Sequence, residues 1–150
     1  MDRWTTLAVV LMLVSTLLEP VTSIVVSPCA LADVLVNKLG VTKIDSAKWA
    51  CLAKYASGFN TQALGSTHKD GSDDFGIFQI NDKYCRKGTK NGCGVSCTDL
   101  VKDDITPSAT CALKIFNDNK KSFDVWPSWK NCKNMDVSRF IEKCDLKPKG

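Results

Sequence analysis

A chain of 150 residues with 44% hydrophobic and 24% charged residues has the balance of a globular domain, and it is long enough for one modest core rather than several. The formal net charge of +4 comes from scattered lysines and arginines with no aromatics interleaved, so a nucleic-acid stacking platform is excluded and a solvated surface remains. Eight cysteines include no C-x2-C pair, and the single histidine, His68, lies far from all of them in sequence, which argues against a zinc site.

Residues 1–23 read as a secretory signal: Arg3 supplies the positive start, Leu7 to Leu18 a largely apolar run, and Val21-Thr22-Ser23 small residues for cleavage. The run falls short of the ~20 apolar residues that span a bilayer, and no later stretch is more apolar. The expectation is therefore a secreted, extracellular domain over 24–150, monomeric and without a membrane span. All eight cysteines fall inside it, at Cys29, Cys51, Cys85, Cys93, Cys97, Cys111, Cys132 and Cys144. An even count in a short secreted chain argues for disulfides, but eight cysteines allow 105 pairings, so the connectivity stays open at this point.

Ser27-Pro28 has the order of a helix cap followed by proline, and Leu31, Val34, Leu35 and Leu39 form a stripe that stops at Gly40. Asp45 or Ser46 can cap a second helix, with Trp49, Leu52, Ala53 and Ala56 on one face, so Ala56 is expected on the inward side of its last turn. Asp70-Gly71-Ser72 is turn chemistry, and Phe75 to Ile80 reads as a short strand. Cys85 to Cys97 is a loop of glycines, lysines and cysteines. Thr106-Pro107 repeats the cap-and-proline signal ahead of a third helix carrying Ala109, Ala112, Leu113 and Ile115. Two short helical pieces follow, around Trp126–Asn131 and after Asp136. Helices around one small sheet make an α+β domain.

Three segments carry a resemblance: Trp49 to Asn60, the DGSDDFGIFQIND run beginning at Asp70, and the WPSWKNC run beginning at Trp126. With the eight cysteines they resemble the c-type lysozymes (glycoside hydrolase family 22), the family that also contains α-lactalbumin, over essentially all of residues 28–145. FQINDKY and DDITPSATCALKI are most similar to the insect members. The resemblance implies the lysozyme fold, a helical lobe plus a small antiparallel β-sheet, with disulfides Cys29–Cys144, Cys51–Cys132, Cys85–Cys97 and Cys93–Cys111. It also implies that Asp74 is the retained catalytic carboxylate and that Gln79, Asn81, Tyr84, Asp118, Val125 and Trp126 bind substrate. Trp126 alone would read equally well as ordinary core.

One position departs from the family pattern. Where the family's motif ends the second helix with a catalytic glutamate, this chain has Ala56. Retaining glycoside hydrolysis, for which lysozyme is itself the type case, uses two carboxyl groups about 5–5.5 Å apart. Alanine donates no proton, and beyond residue 23 the only glutamate is Glu142, near the last cysteine. Asp124 and Asp118 precede Trp126, and the resemblance puts Asp118 at the outer sugar subsites. The rim is also altered: Asn81-Asp82-Lys83-Tyr84-Cys85 is one residue shorter than the family's and offers only Tyr84 for stacking. The expectation is thus a non-enzyme that binds bacterial cell-wall or chitin-like glycans containing N-acetylglucosamine in innate defence. The alternatives are an active or weakly active lysozyme cutting peptidoglycan β-1,4 bonds, and a module that reuses the cleft for a protein partner. No cofactor and no metal are expected: the carboxylate positions of the family's calcium loop fall on Lys102, Pro107 and Ser108, which supply none of the acids a hard cation needs.

Overall fold

The computed structural model describes residues 24–66, 68–90 and 92–147; the expected signal segment 1–23 lies outside the described residues. The first helix, α1 (Pro28–Asp33), starts as its sequence requires. Ser27 Oγ accepts a hydrogen bond from the Ala30 amide at 3.1 Å, and Pro28 occupies the first turn, where its missing N–H costs nothing. The helix widens into a π-turn over Val34–Lys38, then Gly40 turns the chain at φ 70°.

The second helix, α2 (Lys43–Ser57), is the spine of the core, with Trp49, Ala50, Cys51, Leu52 and Ala53 buried. Its cap is neither of the expected residues. Thr42 Oγ1 accepts from the Asp45 amide at 3.1 Å and donates to Asp45 Oδ2 at 2.9 Å, so Asp45 is the third residue of the helix and Ser46 lies inside it. The helix ends at Gly58, whose left-handed φ of 62° suits a residue without Cβ. Trp49 is 1% exposed and is met edge-on by Phe78, Phe116, Phe123 and Trp126. Aromatic pairs favour this edge-to-face geometry because ring edges are positive and faces negative.

The sheet is a three-stranded antiparallel meander: β1 (Leu64–Gly65), β2 (Asp74–Phe75) and β3 (Ile80–Asn81), in that order. Gly65 pairs with Asp74, and Asp74 with Asn81. The single strand expected over Phe75–Ile80 is therefore a hairpin. Gly76 at φ 75° and Gln79 at φ 49° reverse the chain, which overrides the β-forming character of Ile77 and Phe78. Gly76 is obligatory on a second count: a Cβ there would lie 1.9 Å from the Leu100 carbonyl oxygen. Ser108 Oγ donates to that same carbonyl at 2.9 Å. Gly76, Leu100 and Ser108 thus form a close junction between the hairpin turn and the helical lobe.

A 3₁₀ turn over Cys97–Val101 opens with a capping box between Ser96 and Asp99, and Lys102 with Ser96 holds the Asp99 carboxyl down to about 2. The third helix, α3 (Thr106–Asp118), has Ile105 at its cap position. Thr106 is thus the first helical residue, not the cap; its amide donates to Asp104 Oδ1 at 3.0 Å. The two expected C-terminal pieces are 3₁₀ turns, Pro127–Asn131 and Val137–Phe140. Four disulfides join the pairs that the resemblance implied: Cys29–Cys144, Cys51–Cys132, Cys85–Cys97 and Cys93–Cys111. The first closes 115 residues of sequence, a long loop for which constraint of the unfolded chain is worth up to about 5 kcal/mol. Among the described residues, no helix is long and apolar enough to cross a membrane.

Candidate active site

A cleft of about 410 Å³ runs between the hairpin and the helical lobe. Asp74, Gln79 and Asn81 border it from the sheet, Tyr84 from the following 3₁₀ turn (Asp82–Tyr84), and Val125 with Trp126 from the far side. These six expected residues are brought together. Two others are not. Asp118 is absent from the lining: it is exposed on α3 and accepts an ion-pair hydrogen bond from Lys114 at 2.5 Å, while the next residue, Asn119, borders the cleft. Ala56, half-buried in the last turn of α2, is not among the lining residues either. That turn is nonetheless tied to the hairpin, because Ser57 Oγ donates to the Ile77 carbonyl at 2.7 Å. A larger recess of about 510 Å³ lies beside the Cys85–Ser96 loop; its described lining includes Arg86 and Lys87 but no carboxylate. The chemistry therefore sits in the smaller cleft.

The carboxylate of Asp74 is held on both sides. Its Oδ1 accepts from Asn81 Nδ2 at 3.0 Å, the same amide that reaches Ser72 Oγ at 3.0 Å. Its Oδ2 lies 2.6 Å from His68 Nε2. Asp74 is the more sheltered partner, its side chain 19% exposed against 38% for His68. The hydrogen bond to Asp74 and then its negative charge raise the His68 pKa above the usual imidazole value, with Asp70 and Asp73 adding smaller attractions. The stabilisation from this pair is therefore complete below the ordinary histidine pKa of about 6.5, and it is lost as pH rises through the higher folded value.

Other side chains here are partly structural. Gln79 Nε2 donates to the Ala63 and Gly76 carbonyls, each at 3.1 Å, so its amide fastens β1 to the hairpin turn. Trp126 is only 5% exposed and packs at 81° against Trp49, leaving little more than a rim for the cleft. It is core and cleft wall at once. Tyr84 and half-exposed Val125 present more surface. Among the described residues, no group of three or more His, Cys, Asp or Glu side chains is placed to hold a metal ion.

Residues 25–144 match the model of the C-type lysozyme/alpha-lactalbumin family. The chain belongs to this family. Similar relatives include a tracheal isozyme of lysozyme C from Bos taurus, 42% identical over 126 residues, covering 79% of this chain and 84% of the relative. A lysozyme from Hyalophora cecropia is 46% identical over 106 residues, covering 69% of this chain and 74% of the relative. Lysozyme X from Drosophila melanogaster is 42% identical over 109 residues, covering 69% and 75%. These relatives correct the expectation of a non-enzyme: they are named lysozymes, which are enzymes, and family membership supports a lysozyme-like function acting on cell-wall glycan. The match over residues 25–144 outweighs the single departure at Ala56.

Proposed function

We propose that this family member is a slow lysozyme. It is secreted as a monomer after removal of residues 1–23, binds N-acetylglucosamine-containing bacterial cell-wall glycan in the cleft, and hydrolyses its β-1,4 bonds in innate defence. The observation that carries this reading is the placement of Asp74. Its carboxylate is sheltered, fixed by Asn81 and His68, and borders the cleft together with Tyr84, Val125 and Trp126. A fixed carboxylate at that wall opposes the positive charge that develops on the anomeric carbon as the glycosidic bond breaks, either by bonding to it or by stabilising it. Asn81 keeps one oxygen oriented throughout.

Ala56 sets the speed. Ala56 removes the carboxylic acid of the family's motif, and a positioned general acid contributes up to about 10²–10⁴-fold, so the wild-type chain turns over more slowly than a version with a carboxyl at residue 56. The test is lysis of a bacterial wall suspension, followed by turbidity, with purified wild type, Asp74→Asn and Ala56→Glu. Wild type should lyse walls slowly but above the Asp74→Asn level, and Ala56→Glu should be faster, by up to about 10²–10⁴-fold. Wild-type lysis equal to that of Asp74→Asn would overturn the proposal.

A further inference from the structure

Hydrolysis in this cleft needs a proton for the leaving oxygen, and the ionisable groups around His68 narrow its source. On the sheet side Asp70, Asp73 and Asp74 surround the imidazole; Lys83 and Tyr84 stand on the 3₁₀ turn; Ile115, Asn119, Val125 and Trp126 on the helical lobe bring no charge. A general acid works best when its own acidity matches the operating pH. An imidazole both carries a proton near neutrality and yields it. His68 is the chain's only histidine, and it stands in this cleft.

Its geometry resembles a carboxylate–imidazole dyad. Nε2 is engaged by Asp74 Oδ2 at 2.6 Å, which fixes the ring, while Nδ1 has no hydrogen-bond partner among the described residues. A ring held by a carboxylate through one nitrogen exchanges protons through the other, and the carboxylate stabilises the imidazolium form. We propose that His68 is the proton donor of this cleft, replacing the carboxylic acid that Ala56 does not supply. The proposal rests on the hydrolase reading above.

In the first half of the reaction, the Nδ1 proton passes to the glycosidic oxygen as the bond from that oxygen to the anomeric carbon breaks. The bonding pair leaves with the oxygen, and the leaving sugar departs as an alcohol. Asp74 faces the positive charge left on the anomeric carbon. In the second half, water bonds to that carbon and neutral Nδ1 takes its proton, restoring the imidazolium. One water is added across the bond, and no other reactant is consumed.

The test compares hydrolysis of soluble chitooligosaccharides by wild type, His68→Gln, Asp74→Asn, Ala56→Glu and the double variant Ala56→Glu/His68→Gln, each across the carboxylic and imidazole pH ranges. A single histidine also makes the ring titration directly visible by NMR. Wild-type rates should fall as pH rises, with a midpoint equal to the NMR midpoint of His68 and above about 6.5. His68→Gln should drop to the Asp74→Asn level, whereas the double variant should keep most of the Ala56→Glu rate, because the carboxyl introduced at residue 56 then donates the proton. His68→Gln at the wild-type rate, or a rate midpoint that differs from the ring's, overturns the proposal while leaving the hydrolase reading intact. So does a double variant that falls as far as His68→Gln, because His68 would then only position Asp74. Wild type no faster than Asp74→Asn ends the hydrolase reading first and this inference with it. Should His68→Gln fail to fold, the match between the two wild-type midpoints still decides.

Discussion

Replacing Ser57 by alanine tests the link between the helix end and the hairpin. The Ser57 hydroxyl lies 2.7 Å from the Ile77 carbonyl oxygen and 3.2 Å from that of Ala53. Ile77 is 0% exposed and sits in the hairpin turn, outside any strand ladder, so water does not replace the lost partner. Leaving a buried acceptor unpaired costs about 1–3 kcal/mol, and the better helix propensity of alanine returns only a few tenths at a terminal position. The net destabilisation is about 2 kcal/mol. For a domain of this size, 1 kcal/mol corresponds to a shift of about 4 °C, so the midpoint should fall by about 8 °C. Differential scanning calorimetry with the disulfides intact measures it. A fall below about 2 °C would show that the bond contributes nothing beyond what solvent restores, and the account of the hairpin's anchorage would be wrong.

Two further substitutions probe how the cleft walls are held. Gly76→Ala should destabilise by at least about 3 kcal/mol in urea unfolding, because a Cβ meets the Leu100 carbonyl at 1.9 Å on a backbone already at positive φ; an effect near zero would refute the junction. Thr42→Ala should cost about 1 kcal/mol and Thr42→Ser much less, since only the hydroxyl caps α2; equal losses in both would assign the effect to the methyl group instead.

The cap-and-proline signal gave the start of α1 at Ser27-Pro28 and lay one residue off at Thr106-Pro107, where Thr106 is already helical. At α2 the candidates were Asp45 and Ser46, and the reciprocal Thr42–Asp45 pair displaces both. The spacing of a threonine three residues ahead of an acid, Thr42-Lys43-Ile44-Asp45, was a readable sign of it. The hairpin was hidden because Ile77 and Phe78 favour strands on their own, and only the crowding of Gly76 against Leu100 shows why the chain must turn there. That Asp74, Gln79, Asn81, Tyr84, Val125 and Trp126 border one cleft was legible through family resemblance. His68 was not. Its approach to Asp74 depends on the fold of the turn between them, and an isolated histidine in a polar stretch carries no periodic or motif signal. Asn119 borders the cleft where the resemblance pointed to its neighbour Asp118, whose side chain is occupied by Lys114.

The aromatic cluster around Trp49 has an optical consequence. Trp4 falls within the expected signal segment, leaving Trp49, Trp126 and Trp129 as the indoles of the described residues. Trp49 and Trp126 have ring centres 5.5 Å apart, and Trp129 stacks on Phe123 at 4.4 Å. Chromophores this close in a fixed, chirally packed setting give strong near-ultraviolet circular dichroism, and a buried indole such as Trp49 emits at short wavelength. Because Trp126 also borders the cleft, a ligand entering there would perturb one member of the coupled pair. The protein therefore carries an intrinsic spectroscopic gauge of cleft occupancy, one that needs no label and works whether or not a bond is cut.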